Sequence, residues 1–124
     1  MTTKFLFPNL SYKILGIAFK VYNKLGCGLP EYCYKMALMI ELEKDNIKAQ
    51  KEVITKVYYD NQQIGYFKSD IVVDHKIILE LKSIDKLTNK NEAQVLTYLK
   101  VSKKRIGYLI NFGNTYLEYK RLII

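Results

Sequence analysis

Residues 66 to 83 read YFKSDIVVDHKIILELKS: two apolar runs separated by Asp74, His75 and Lys76, with Asp70, Glu80 and Lys82 set inside them. β-branched and aliphatic runs joined by a turn-forming triplet fold as two antiparallel strands. Ionised groups within such strands cost several kcal/mol unless they are paired or hold a metal. The hairpin therefore sits at the centre of the fold, and its charges need a reason.

The flanking chain supplies the partners this hairpin must pack against. From Leu10 to Leu25, apolar residues fall at Ile14, Ile17, Ala18, Val21, Tyr22 and Leu25, the spacing of an amphipathic helix. LGCGLPE, residues 25 to 31, stops that helix with two glycines and restarts another at Pro30. The second helix is expected to run to about Asp45. Its residues Tyr32 to Ile40 are apolar almost all round, which predicts cover on more than one side. Val53 to Tyr59 has the texture of a strand, and DNQQ at 60 to 63 is turn chemistry. Strands then follow at Ile64 to Val73 and Ile77 to Ile84. LTNKNEAQ opens a third helix, with Asn89 and Glu92 in capping-box spacing, that reaches Ser102. RIGYLINF and YLEYKRLII supply two last strands. The order is ααβββαββ, and it predicts an α/β class of fold, an α+β mixed sheet with helices packed on it.

At 124 residues the chain is expected to be one domain, residues 1–124, with one core. A composition of 49% hydrophobic and 26% charged residues argues against disorder. The net charge of +8, spread along the chain, favours a polyanionic partner such as nucleic acid, though a solvated lysine-rich surface accounts for it about as well. No apolar run approaches the roughly 18 residues of a membrane span, and the start MTTKFLFPNLSYK lacks the apolar centre of a signal peptide. A cytoplasmic protein with no membrane partner is the expectation. Cys27 and Cys33, outside CxxC spacing, read as reduced structural residues rather than a redox or zinc pair.

Period-2 alternation puts Glu80 and Lys82 on one face of their strand and Leu79 and Leu81 on the other. A turn centred near His75 sets Asp70 opposite Glu80 on the neighbouring strand. Two facing carboxylates repel unless a cation sits between them, and oxygen-only pairs suit Mg²⁺ or Mn²⁺. A lysine beside them completes an arrangement suited to phosphoryl transfer. On spacing alone, the solvent-facing side of an amphipathic strand explains Glu80 and Lys82 more simply. Other residues shift that balance: Gln94 and Tyr98 share one face of the third helix, and Glu31 places a carboxylate at the start of the second.

Together these residues resemble the PD-(D/E)XK nuclease superfamily, whose αβββαβ core carries its acidic residues and lysine on the second and third strands. The resemblance implies a restriction-endonuclease-like core with an additional N-terminal helix and C-terminal strand. QVLTY, through Gln94 and Tyr98, resembles the QxxxY motif of the RecB-like branch, and GLPEYCY, through Gly28, Glu31 and Tyr34, is similar to the motif of the small GxxExxY proteins. The similarity runs through residues 10 to 124. It implies that Asp70 and Glu80, helped by the Leu81 carbonyl, bind the divalent metal and that Lys82 positions the attacking water. It further implies that Glu31 serves the metal's outer shell or water activation, and that Gln94 and Tyr98 steady Lys82 and the substrate phosphate. Ser69 stands where the superfamily name has Pro. The implied activity is metal-dependent phosphodiester hydrolysis, with DNA favoured over RNA as the superfamily's commonest substrate. The alternative is a non-catalytic nucleic-acid-binding or regulatory module that keeps the fold. A homodimer would give so small a domain more grip on a duplex.

Three further features carry weaker signals. His75 reads as an exposed turn residue rather than a ligand or base. The tyrosines, 11 in all, are expected mostly in the core or on strand faces rather than stacked on bases. Lys103, Lys104 and Arg105 suit either phosphate contact or the C-terminal dipole of the third helix.

Overall fold

A computed structural model describes residues 6–124. Its elements are α1 (Pro8–Leu25), α2 (Glu31–Lys44), β1 (Ala49–Tyr59), β2 (Gln62–Val73), β3 (Ile77–Lys82), α3 (Asn89–Ser102), β4 (Ile106–Asn111) and β5 (Glu118–Ile123). The five strands form one sheet in the order β1-β2-β3-β4-β5. β1, β2 and β3 are an antiparallel meander, β4 runs parallel to β3 after the α3 crossover, and β5 returns antiparallel.

Helices cover both faces of this mixed sheet. Ile14, Ile17, Ala18 and Val21 of α1 and Tyr34, Leu38 and Leu42 of α2 pack against Ile71, Leu79, Leu81, Tyr108 and Ile110. On the other face, Val95 and Leu99 of α3 meet Val72, Ile78 and Leu109. β3 and β4 lie between the two layers, which is why they are apolar almost without interruption. Glu80 and Lys82 are the polar exceptions in β3, and they point to the α3 side while Leu79 and Leu81 enter the α1–α2 core.

Several details differ from the sequence reading, among them strand ends: β1 starts at Ala49 rather than Val53, β2 at Gln62 rather than Ile64, and β3 ends at Lys82 rather than Ile84. α1 begins at Pro8 rather than Leu10, with the proline in its first turn, where the missing N–H costs nothing. The capping box of α3 is Thr88 with Asn91, not Asn89 with Glu92: Thr88 adopts an extended conformation, its Oγ1 accepts from the Asn91 N–H, and its own N–H donates to Asn91 Oδ1. α2 is covered along a single stripe, and Tyr32 and Ile40 stay exposed because no third layer lies over that helix. Both cysteines are free, as expected, but exposed rather than part of the core.

The tyrosines fall mostly in the core or on strands, as expected. Only Tyr34 and Tyr108 are buried, and Tyr12, Tyr32, Tyr58, Tyr59, Tyr66, Tyr116 and Tyr119 are exposed. His75 stands exposed in the β2–β3 turn with φ 57°, as its turn context predicts. Lys103 ends α3 in the left-handed region, and Lys104 Nζ donates to the His75 carbonyl at 3.0 Å, tying the helix end to that turn.

Candidate active site

β2 and β3 are paired from Val73↔Ile77 to Ile71↔Leu79, and at the next step they part. The residues at that fork are Asp70 and Glu80. Each carboxylate reaches across to the opposite strand: the Asp70 N–H donates to Glu80 Oε1 at 3.2 Å, and the Leu81 N–H donates to Asp70 Oδ2 at 2.8 Å. Side chains thus replace the ladder bonds, and the facing pair expected from a turn centred at His75 is present. Because the N–H and carbonyl of one strand residue point to the same side, the Leu81 carbonyl also faces the fork. The Lys82 carbonyl faces the other way and accepts from the Phe112 N–H at 2.8 Å.

Glu31 starts α2 where it does because Tyr34 pins the loop before it. The buried Tyr34 hydroxyl donates to the Gly26 carbonyl at 2.6 Å and accepts from the Leu29 N–H at 3.1 Å, while its ring stacks on Phe112 at 4.3 Å. Gly28 takes φ 97° within that loop, a conformation open to glycine and costly for other residues. Ser83 Oγ donates to the Leu29 carbonyl at 2.8 Å, fastening the loop to the end of β3. The GLPEYCY motif therefore splits its work: Gly28 and Tyr34 shape the turn, and Glu31 starts α2 near enough for the Asp70 and Lys82 charges to act on it.

Electrostatics at the fork are dominated by the buried Glu80 carboxyl beside the partly exposed Asp70. Burial, and then the Asp70 charge, push the Glu80 carboxyl up to about 8, against the opposing pull of the Asp70 N–H and Lys82. Glu80 is only 5% exposed, so the solvent-facing alternative fails for it. Glu31 is likewise raised by burial and by Asp70, with Lys82 and Lys35 opposing. Tyr98 is raised by burial, then by Glu80 and Asp70.

Lys82 Nζ donates to Gln94 Oε1 at 3.4 Å, so the first polar residue of the QVLTY segment meets the lysine. Tyr98 makes a different contact: its ring lies flat on Phe67 of β2, with centroids 3.9 Å apart and planes 2° apart. Behind Lys82, the fully buried Asn111 braces the following loop. Its Oδ1 accepts from the N–H groups of Ile84 and Gly113, and its Nδ2 donates to the Ile84 carbonyl and to Glu118 Oε1, each at 3.0 Å. Burial raises the Glu118 carboxyl, but the bonds from Asn111 and the Leu87 N–H outweigh it and hold the group low.

One charged residue that the sequence did not single out also belongs here. Lys35 Nζ stands 3.9 Å from both Asp70 Oδ1 and Glu52 Oε1, with a side chain only 12% exposed. Its sequence signal is its i+4 spacing from Glu31, which puts both on one face of α2. Phe67 and Asn111 were missed as well, since each looks like an ordinary strand residue until its partner is known.

The donor set at the fork fits a hard divalent cation. Asp70, Glu80 and the Leu81 carbonyl offer oxygen alone, and a cation would offset both the burial and the Asp70 charge that raise Glu80. Among the described residues, no group of three or more His, Cys, Asp or Glu side chains is arranged to hold a metal. Ligands beyond the two carboxylates would then come from backbone and water, the habit of Mg²⁺.

A family model described as the PD-(D/E)XK nuclease superfamily matches residues 8–122. Comparison with curated proteins gives no match. Among solved structures, the crystal structure of SSO0001 shares this fold with a TM-score of 0.54 at 16% identity, over 72% of this chain and 47% of that chain. This chain thus spans about half the length of that relative. With a mixed five-stranded sheet whose second and third strands part at an acidic pair followed by a lysine, and a family match over nearly its whole length, the chain belongs to the PD-(D/E)XK nuclease superfamily.

Proposed function

We propose that this chain is a divalent-metal-dependent nuclease that hydrolyses phosphodiester bonds in DNA, and that residues 1–124 form one such catalytic domain. The observation that carries the reading is the fork, where Asp70 and Glu80 are each held by an N–H of the opposite strand and Lys82 follows two residues after Glu80. We further assign the chain to the GxxExxY group and to the RecB-like branch. Support for the first is the joint use of Gly28, Glu31 and Tyr34, and for the second the Gln94 contact to Lys82.

In this reading Asp70, Glu80 and the Leu81 carbonyl hold Mg²⁺ or Mn²⁺. The ion, when bound, neutralises phosphate charge and acidifies a coordinated water. Lys82, steered by Gln94, orients the attacking water and balances the charge that develops on the phosphate oxygens. Water oxygen bonds to phosphorus as the bond from phosphorus to the leaving sugar oxygen breaks. Glu31, whose carboxyl is raised by burial and by Asp70, is suited to take the water's proton, and the leaving oxygen is protonated from solvent. Tyr98, stacked on Phe67, walls the cleft on the α3 side.

The test is cleavage of labelled single-stranded, duplex and branched DNA with Mg²⁺ or Mn²⁺ by the wild type, Glu80→Ala and Lys82→Ala, with folding checked by circular dichroism. We expect cleavage by the wild type and losses of about a hundredfold or more in each variant. DNA binding that neither chelator nor substitution changes, without cleavage of any substrate, would instead identify a binding module.

A further inference from the structure

The β1–β2 hairpin is longer than the sheet it belongs to. β3 pairs with β2 over Ile71 to Val73, so residues 62–69 of β2 and 53–59 of β1 extend past the fork as a two-stranded ribbon. Its inner face is accounted for: Val53 packs with the α3 cluster and Phe67 stacks on Tyr98. The opposite face is not. Directly paired residues share a face, and the pairs Ile54↔Lys68 and Lys56↔Tyr66, continued by Tyr58, place Ile54, Lys56, Tyr58, Tyr66 and Lys68 together and exposed.

The chemistry of this outer face is selective. It carries two lysines and no carboxylate; the ribbon's only acid, Asp60, lies in the connecting turn, and Glu52 at the base faces Lys35. Among the described residues neither Lys56 nor Lys68 enters an ion pair, and neither Tyr58 nor Tyr66 stacks on another ring. The two lysines are diagonal neighbours, a separation of about 7–8 Å, close enough to meet phosphates of one strand. Tyrosine rings beside them offer flat surfaces that unpaired bases can stack on and duplex bases cannot reach. A second copy of the chain is the other candidate occupant, but two such faces would bring four ammonium groups together with nothing on either face to neutralise them.

We propose that the outer face of the ribbon binds single-stranded DNA beside the fork, Lys56 and Lys68 meeting phosphates while Tyr66 and Tyr58 stack on bases. The choice of DNA rests on the nuclease reading of the fork. The ribbon thereby selects a substrate that carries an unpaired segment.

Binding is measured on the full chain with chelator present, so that it is independent of cleavage, using fluorescence anisotropy of labelled oligo-dT, oligo-U and a blunt duplex. The chain has no Trp, so its own tyrosine emission reports stacking without interference. Oligo-dT should bind more tightly than the duplex and quench that emission. Tyr58→Ala and Tyr66→Ala should each weaken binding about tenfold, with Tyr66→Phe close to wild type. Lys56→Gln and Lys68→Gln should each lower the salt slope by about 0.7. Variants that bind oligo-dT like the wild type would overturn the inference, as would equal loss on the duplex or a clear preference for oligo-U. So would a dimer in sedimentation that the tyrosine variants dissolve without any change in binding. Glu80-dependent cleavage with unchanged binding in the ribbon variants would sink this inference alone; ribbon-dependent binding without cleavage would sink the nuclease reading alone.

Discussion

At Glu80, a buried carboxyl raised to about 8 from its ordinary value of 4.5 turns the site's charge into a stability effect. The folded chain keeps a proton that the unfolded chain gives up between those two values. Stability of the metal-free protein is therefore full below about pH 4.5 and falls as pH rises to about 8, by a few kcal/mol. Glu80→Gln should flatten that slope in denaturant titrations at several pH values, and added Mn²⁺ should restore stability at pH 8 to the wild type but not to the variant. A wild-type slope that survives in Glu80→Gln would remove Glu80 as its source. Asp70, Glu80 and Lys82 stand out in the sequence because charges interrupt an apolar run. Lys35 does not, because a lysine on a helix is ordinary until Asp70 and Glu52 are seen beside it.

Among the elements, the loop from β3 to α3 follows directly on Lys82, and it lies against the turn after β4. A side chain on Gly113 would collide with the backbone of Ser83 and Ile84, which is rigidly held by Asn111 and cannot yield cheaply. Gly113→Ala should cost about 3 kcal/mol and lower Tm by about 10 °C, read by thermal denaturation. An unchanged Tm would mean that the two loops can separate. The helices show the limits of local pattern. The α3 start offered two capping frames one residue apart, and only the extended backbone of Thr88 selects between them. α2 looks apolar all round, yet which of its faces is covered depends on how many layers the fold has.

On the scale of the molecule, a three-layer core grips β3 and β4 from both faces, while the far ends of β1 and β2 have only each other beyond the Val53 and Phe67 contacts to α3. Backbone amides of β3 and β4 should exchange with deuterium at rates set by global unfolding, and those of residues 55–58 and 63–66 far faster. Equal protection along β2 would show that the ribbon is as well held as the sheet. The amino-acid sequence by itself determined the element order, the antiparallel hairpin about His75 and the facing of Asp70 and Glu80, because period and turn chemistry are local and the register of a short hairpin follows from its turn. Only the tertiary structure decided that the strands part at that pair, that Tyr34 and Asn111 hold the flanking loops, that Lys35 joins the carboxylates, and that most tyrosines face outward. Those outcomes depend on which surfaces meet across distant parts of the chain, and burial, unlike periodicity, is a property of the assembled layers.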